Sequence, residues 1–356
     1  MNERTFIDLI SGKRRGLLAT AARGFLWVLS FGYQIAVWLR GLTFDWGFRR
    51  VYHPNVPVIS VGNLTTGGTG KTPVVAFLVR WFGDHGFRVG ILSRGYGALN
   101  EEGNDEKRVL DQLCPGVLHL QSSNRSDIAR QAVEEHGCQI LVLDDGFQHR
   151  KLHRELNIVL IDATQPWGFD NVLPRGLLRE PLAGLKRADF ALITRADSVD
   201  DLILTNIRSV VDQHISGGLA ATVAFRPTQL INVHGERGDV EIIKAQRVLG
   251  FCGIGNPDSF RQLLVSRGAE VVEFVPFPDH HHYNDVDMRT LSESTKRHNA
   301  DLVVTTLKDI VKLGETQIGD ADLWALSIET EFLAGFEQLE SRLEQVKETL
   351  ANSTTE

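Results

Sequence analysis

The chain has 356 residues, of which 42% are hydrophobic and 23% charged, so it can form packed cores and is not wholly disordered. This length is more typical of two domains than of one. Its three cysteines are far apart and include no C-x-x-C pair, which argues against a disulfide framework and a cysteine-based zinc site. The net charge of −7 is uneven: the first 50 residues carry +5 and the remainder −12. Such a basic end favours an anionic surface, whereas the acidic body argues against a nucleic-acid partner.

The N-terminal segment contains a nearly uncharged stretch at 24–39, bounded by Arg23 and Arg40. Its 16 residues are fewer than the roughly 20 that a spanning helix needs. Tryptophans and flanking arginines suit the depth of lipid headgroups. We therefore predict that residues 1–50 form a basic, amphipathic, membrane-associating segment. A signal peptide and a helix packed on the protein's own core are the alternatives.

The next feature is an apolar strand at 58–61 followed by a glycine-rich turn and Lys71-Thr-Pro. A strand, a glycine-rich loop and a helix N-terminus together form a phosphate-binding loop, in which the lysine reaches the β- and γ-phosphates. Thr65 stands where the usual pattern has its first glycine, and an ordinary glycine-rich turn is the alternative. The predicted nucleotide-binding residues are Thr65, Thr66, Gly67, Gly68, Thr69, Gly70, Lys71 and Thr72.

Apolar strands then alternate with helices, which predicts an α/β fold: a P-loop NTPase-like parallel sheet with helices on both faces. A second βαβ series begins near Arg247 and predicts a smaller α/β domain. The predicted domains are residues 51–235 and 236–345, followed by a polar tail at 346–356. Ligands of such sheets lie beyond the carboxyl ends of the strands.

Two adjacent carboxylates, Asp144 and Asp145, end the strand at 140–143. A carboxylate in this place holds the Mg²⁺ of a bound nucleotide, and Thr72 would be a further ligand. The alternative is a strand-ending Asp-Gly turn.

A second acidic pair, Asp105 and Glu106, is predicted to lie in a loop. One of these carboxylates could accept a proton from an attacking hydroxyl, although acidic pairs are more often solvated.

Three adjacent histidines at 280–282 follow Asp279. A zinc site would need further, better spaced ligands. The other interpretations are one histidine acting in acid–base chemistry or as an orienting group, and a polar loop surface.

Arginines near the predicted strand ends could clamp phosphates through their guanidinium groups. The candidates are Arg125, Arg175 and Arg179, with Glu180 as a further metal candidate. Thr194-Arg-Ala-Asp197 loosely resembles the element that reads guanine, so a membrane-attached P-loop GTPase or ATPase switch is the alternative function.

In this order the motifs resemble the tetraacyldisaccharide 4′-kinase family, the lipid A 4′-kinases. The resemblance spans residues 15–345, and the matching stretches are Val61-Gly-Asn-Leu-Thr-Thr-Gly-Gly-Thr-Gly-Lys-Thr-Pro, Leu92-Ser-Arg-Gly-Tyr-Gly, Asp144-Asp-Gly-Phe-Gln-His, Leu173-Pro-x-Gly-x-Leu-Arg-Glu-Pro, Phe277-Pro-Asp-His and Thr305-Thr-x-Lys-Asp-x-Val-Lys-Leu. The chain departs from the family at Lys107, where proline is usual, and at Leu307, where glutamate is usual.

The resemblance implies transfer of the ATP γ-phosphate, with Mg²⁺, to the 4′-hydroxyl of an acylated glucosamine disaccharide 1-phosphate. It also implies a peripheral location on the cytoplasmic face of the inner membrane. By position, Asp105 matches the family's catalytic aspartate and His280 the histidine that pairs with it, while Lys71 would hold the transferred phosphate. Arg125, Arg175, Arg179 and Glu106 would then be candidates for contacts with substrate or phosphate. The expected partners are this lipid and an anionic membrane surface, with no obligate protein partner evident.

Overall fold

The computed structural model describes residues 3–95, 104–279 and 281–353. Their strands in chain order are β1 Val58–Asn63, β2 Val89–Ser93, β3 Leu118–Gln121, β4 Ile140–Asp144, β5 Leu156–Asp162, β6 Phe190–Thr194, β7 Ala220–Ile231, β8 Arg237–Asp239, β9 Arg247–Cys252, β10 Glu270–Pro276, β11 Leu302–Thr306, β12 Gln317–Ile318 and β13 Ala321–Ala334. The helices are α1 Glu3–Ile10, α2 Leu17–Asp45, α3 Lys71–Asp84, α4 Asp105–Leu113, α5 Arg125–Glu134, α6 Asp201–His214, α7 Pro257–Ser266, α8 Asp285–His298, α9 Leu307–Ile310 and α10 Phe336–Ser353.

The chain groups into two compact units. Unit 1 contains the described parts of Met1–Arg94, Val117–Ala224 and Glu331–Glu356. Unit 2 contains the described parts of Gly95–Gly116 and Phe225–Thr330. Both units are therefore built from segments that are distant in the sequence.

Unit 1 is built on a parallel sheet with the order β3-β2-β4-β1-β5-β6-β7. Its central strands are buried throughout, as expected of a parallel sheet covered by helices. β1 pairs directly with β4, and the register places Val61 beside Asp144. The loop after β1 and the aspartates at the end of β4 therefore lie at the same edge of the sheet.

Unit 2 has a parallel sheet with the order β10-β9-β11-β13, and β12 pairs with β13 in the antiparallel direction. Its core packs Val248 and Val304 against Phe260 and Leu264 of α7. Asn256 caps α7 through a 3.2 Å bond from the Ser259 N–H, and Pro257 occupies the first turn. The predicted α/β class is confirmed, and the βαβ series predicted to begin near Arg247 corresponds to β9, α7 and β10.

The N-terminal helix α2 has 29 residues and is longer than the apolar stretch seen in the sequence. Of the described helices, it is the one with the length and composition to cross a membrane, and 6% of its most apolar window is buried. Trp27 and Trp38 are 59% and 60% exposed. One side of α2 contacts the rest of unit 1, because the Ser30 hydroxyl donates to Val172 O (2.9 Å) and the Tyr33 hydroxyl donates to Arg179 O (2.8 Å). Packing within unit 1 thus leaves a large apolar surface uncovered, which suits membrane association.

Candidate functional site

The main chain between β1 and α3 forms an anion-binding turn. Gly70, the N-cap of α3, has a φ of 86°, which favours glycine, and no side chain caps the helix. The first-turn N–H groups of a helix have no partner within the helix, and they carry its positive dipole end. Gly67 and Gly68 are exposed, whereas Thr65 and Thr69 are buried. The loop therefore offers main-chain donors at an open surface.

Lys71 is held at the base of this loop by two oxygen atoms. Its Nζ lies 3.3 Å from Asn63 Oδ1 and 3.6 Å from Asp145 Oδ1. Asn63 also donates to Thr65 O at 2.7 Å, so it fixes both the loop and the lysine. The next residue, Thr72, is half-buried in the first turn of α3.

The two candidate metal-binding aspartates have different surroundings. Asp144 is buried at the end of β4. Asp145 has a φ of 50°, and both of its carboxylate oxygens accept from Arg179 Nη1, at 2.8 and 2.9 Å. Burial raises the pKa of Asp145, but the charges of Lys71 and Arg179 outweigh burial and leave this pKa below its ordinary value. Asp145 is therefore an anion held between two cations.

A glycine allows the Asp144-Asp145 turn to approach β1. A Cβ atom on Gly62 would lie 2.6 Å from the backbone N of Phe147, closer than a real side chain allows. A side chain at position 62 would therefore clash with the segment that follows Asp144 and Asp145. Glycine at this position lets the two carboxylates lie close to the phosphate loop.

Glu180 is buried and already bound. Arg187 Nη2 donates to its two carboxylate oxygens at 2.8 and 2.7 Å, and Gln148 Nε2 donates to Oε1 at 3.0 Å. Gln148 Nε2 also donates to Asn63 O at 2.9 Å. Glu180 therefore connects to the phosphate loop through Gln148.

Arg125 lies at the start of α5 and is buried. Its Nη1 is 3.3 Å from His149 Nδ1, and its Nε has no hydrogen-bond partner among the described residues. Burial lowers the pKa of His149 to about 4, and the positive charge of Arg125 adds to this effect. His149 is thus neutral at pH 7 and can accept a hydrogen bond from the arginine.

The segment after β6 braces the phosphate loop. The Thr194 hydroxyl donates to Thr69 O at 3.0 Å, and Arg195 Nη2 donates to Gly68 O at 2.7 Å. Arg195 also pairs with Asp162 at the end of β5. In this chain the Thr194–Asp197 segment therefore contacts the loop backbone.

Arg175 lies against the N-terminal helices of unit 1. Its Nη1 donates to Ile10 O at 2.7 Å, and its backbone N–H donates to the Ser30 hydroxyl at 2.9 Å. Arg179 therefore contacts the phosphate-loop cluster, whereas Arg175 is bound elsewhere.

The remaining candidates belong to unit 2. Asp105 and Glu106 are the first two residues of α4, which Asn104 caps by accepting from Lys107 N at 3.1 Å. The prediction that they lie in a loop is therefore wrong, because Asn104 is a good N-cap residue and Asp and Glu favour a first turn. Asp105 lies 3.4 Å from Lys312 Nζ. His280 is outside the described residues.

The residues present fit a nucleoside triphosphate with Mg²⁺. The buried Thr69 Oγ1 has no hydrogen-bond partner within the described ranges, and Lys71, Arg125 and Arg179 supply positive charge nearby. No cluster of three or more His, Cys, Asp or Glu side chains with metal-binding geometry occurs in these ranges. Mg²⁺ in such sites is held by one or two carboxylates together with phosphate oxygens and water, so Thr72 and one aspartate suffice.

Several residues that contact the candidates were not predicted as site residues: Asn63, Gln148, His149, Arg187 and Arg195 in unit 1 and, separately, Lys312 in unit 2. Asn63 directly follows a strand and precedes the glycines, which is a usable signal. Gln148 and His149 lie within the Asp-Asp-Gly-Phe-Gln-His stretch. Arg195 lies within the Thr194–Asp197 stretch that was compared with the guanine-reading element, whereas Arg187 carries no local pattern that marks it.

Comparison with known proteins identifies the family. A model of the family "LpxK: Tetraacyldisaccharide-1-P 4′-kinase" matches residues 22–348. The chain belongs to this family. The predicted family and the predicted kinase class are thereby confirmed.

Similar proteins agree with this assignment. A tetraacyldisaccharide 4′-kinase of Syntrophus aciditrophicus is 39% identical over 312 residues, covering 80% of this chain and 83% of that protein. One from Geobacter metallireducens is 38% identical, covering 81% and 87%. The crystal structure of apo-form LpxK from Aquifex aeolicus in complex with ATP has a TM-score of 0.75 at 31% identity, covering 91% of this chain and 99% of that one.

Proposed function

We propose that the chain transfers the γ-phosphate of ATP to the 4′-hydroxyl of an acylated glucosamine disaccharide 1-phosphate. The observation that carries this proposal is the phosphate loop, in which Asn63 and Asp145 hold Lys71, in a chain of this kinase family. Such transfer depends mainly on positioning and on neutralising phosphate charge.

The loop residues 65–72 bind the triphosphate through their N–H groups, and Lys71 neutralises the β- and γ-phosphates. Thr72 and Asp144 or Asp145 hold Mg²⁺, with Glu180 as a further candidate. When bound, Mg²⁺ would supply charge neutralisation to the triphosphate.

Asp105 acts as the general base. It accepts the proton of the 4′-hydroxyl while the oxygen forms its bond to the γ-phosphorus and the bond to ADP breaks. His280 orients Asp105 and adjusts its charge. A base of this kind typically contributes about 10²–10⁴-fold to the rate.

Arginines take the remaining phosphate contacts. Arg125 and Arg179 lie beside Asp145 and suit the charge that develops on the transferred group. Arg175 and Glu106 are candidates for contacts with the lipid headgroup. A guanidinium group fits phosphate with two parallel hydrogen bonds.

The enzyme acts at the cytoplasmic face of the bacterial inner membrane, to which α2 attaches it peripherally through anionic lipid. We expect no nucleic-acid partner, and no obligate protein partner is evident from the sequence. Replacing Trp27 and Trp38 together by serine should weaken binding to anionic vesicles by about tenfold or more, because the variant lacks two exposed aromatic side chains that would enter the lipid interface. Flotation with vesicles measures this; unchanged flotation would refute the attachment site.

The decisive experiment mixes the purified chain with radiolabelled ATP and the acylated disaccharide 1-phosphate. A labelled lipid with a new 4′-phosphate is expected. A chain that forms no labelled lipid and prefers GTP over ATP by orders of magnitude would favour a nucleotide-dependent switch instead.

A further inference from the structure

Lys312 lies between two carboxylates of unit 2. Its Nζ is 3.4 Å from Asp105 Oδ2 and 3.6 Å from Asp309 Oδ1. The Lys312 side chain is only 6% exposed, which is unusual for a lysine. A buried ammonium group requires ionic or hydrogen-bonding partners. The two aspartates are therefore what permits the charge to be buried here.

Asp309 is the fixed member of this group. Its side chain is 0% exposed, and Oδ2 accepts from Gly253 N at 3.1 Å and from the Thr306 hydroxyl at 2.6 Å. The Lys312 backbone N–H donates to Asp309 O at 3.0 Å. Lys312 is thus anchored by both its side chain and its main chain, and α9 packs against α4, which carries Asp105.

Gly253, which donates a hydrogen bond to Asp309, lies close to residues on both sides of position 280. A Cβ atom on Gly253 would lie 3.1 Å from Asp309 Oδ1, 3.1 Å from Pro278 O and 3.2 Å from His281 Cβ. His281 is held in turn by Asp287, with Nε2 and Oδ2 2.9 Å apart. Asp309 therefore fixes the lysine that contacts Asp105, and Gly253, which donates to Asp309, lies close to Pro278 and His281.

We propose that Lys312 is a positioning residue for Asp105: its ammonium group holds the Asp105 carboxylate in place and in its anionic form, and Asp309 holds the ammonium group. This inference rests on the proposed function, in which Asp105 is the base. An opposite charge within about 4–6 Å favours the ionised form of a carboxyl group. Lys312 itself transfers no proton, so it extends the pH range in which Asp105 can accept one.

Other charged and titratable groups of unit 2 lie on the same helix or on neighbouring segments. They include Glu106, Lys107, Arg108, Asp111, Cys252, Asp258, Asp279, His281, Tyr283, Asp287, Lys308 and Asp309. Lys107 pairs with Asp111, and Arg108 donates to Val311 O at 3.1 Å. Burial and then the charge of Asp309 raise the pKa of both Cys252 and Tyr283, so both are neutral at pH 7. Lys312 thus pairs directly with Asp105, whereas Lys107 and Arg108 contact Asp111 and Val311 O.

The test compares the full-length wild type with Lys312→Met and Lys312→Arg in the lipid-phosphorylation assay between pH 5 and 9. In Lys312→Met, kcat should fall at least about tenfold, because a small misplacement of a reacting group is costly. The acid limb of its kcat/KM profile should move to higher pH by about one unit. The KM for ATP should stay within about twofold, and Lys312→Arg should restore most of the rate and the pH limb.

Two controls separate this effect from misfolding. Lys312→Met leaves Asp309 buried without its cation, which destabilises a protein, so the double variant Lys312→Met/Asp309→Asn is measured beside it. The double variant removes that buried charge, and the acid limb of its kcat/KM profile should still lie at higher pH than that of the wild type. The matched control is Lys244→Met, which breaks an exposed pair with Glu241 of the same 3.6 Å length and should leave rate and profile unchanged.

The outcomes are distinct. A folded Lys312→Met or double variant with the wild-type kcat and acid limb overturns the inference. A lower kcat with an unmoved limb and no rescue by arginine also overturns it, because that pattern marks a purely structural role. If the wild-type chain phosphorylates no lipid, both the proposed function and this inference are refuted. If the wild type and Asp105→Asn are both active, the kinase function stands, but Asp105 is not the base and Lys312 is not its positioning residue.

Discussion

The phosphate loop of unit 1 and the Asp105 cluster of unit 2 solve different chemical problems. The loop presents main-chain N–H groups and cations, and the Asp145 carboxylate beside it is bound by Lys71 and Arg179. The unit 2 cluster has two carboxylates around one buried lysine. A cationic region with main-chain donors suits the binding of an anionic ligand, whereas a carboxylate held by a cation suits the acceptance of a proton. The difference predicts that a substitution in the Asp105 cluster can abolish phosphate transfer while Mg·ATP binding at the phosphate loop is retained.

Asp105→Asn tests the unit 2 half of this comparison and should have the largest effect. Asparagine keeps the shape of the side chain but accepts protons poorly, so kcat should fall by about 10²–10⁴-fold. Binding of Mg·ATP, measured by calorimetry, should remain within about twofold of the wild type. Full activity of this variant would show that another group is the base.

Lys71→Ala tests the unit 1 half. Loss of one positioned cation at a phosphate should lower kcat/KM by about 10²–10³-fold and weaken ATP binding at the same time. Calorimetry and the lipid assay measure both quantities. Replacement of the exposed Lys244 by alanine is the matched control. If Lys71→Ala kept the wild-type affinity for Mg·ATP, the loop would not be the nucleotide site.

The aspartates at the end of β4 sharpen the comparison within unit 1. Since Asp145 is already bound by Lys71 and Arg179, we expect Asp144 to be the principal metal ligand. Asp144→Asn should raise the Mg²⁺ concentration for half-maximal activity by at least about tenfold. Asp145→Asn should instead raise the KM for ATP, because Lys71 loses a partner. Activity measured against Mg²⁺ concentration for both variants distinguishes the two aspartates. If Asp145→Asn, and not Asp144→Asn, needed more Mg²⁺, Asp145 would be the metal ligand.

Local pattern was enough to predict the phosphate loop, the Asp144-Asp145 turn and the alternation of apolar strands with helices, but β7 was not among the predicted strands. These features depend on neighbouring residues: strands show as apolar runs, and turns show as glycines. The position of Arg175 was not predictable in this way, because its contacts with Ile10 and Ser30 span about 145 residues or more of sequence.

The unit 2 cluster shows the same limit. The sequence contains Asp105 and the Lys308-Asp309-x-x-Lys312 stretch, but nothing in the spacing indicates that they meet. The helix start at Asp105 could have been predicted from Asn104, which is a favoured N-cap residue followed by two acidic residues. The missed helix is therefore an error of interpretation, whereas the missed ion pair depends on tertiary packing.

The smallest expected effect is a pH dependence of stability in unit 1 that arises from His149. Burial lowers its pKa in the folded state to about 4, from an ordinary value of 6.5. Between these two pH values the unfolded chain binds more protons than the folded chain, so the free energy of unfolding rises with pH. The contribution of His149 to this free energy is fully present above about pH 6.5. Discounted for partial exposure, the contribution lost on going from pH 7.5 to pH 5 is about 1 kcal/mol. Urea denaturation of the wild type and of His149→Gln at both pH values measures it. The variant should lack this part of the pH dependence, and an equal pH dependence in both proteins would show that His149 is not held neutral beside Arg125.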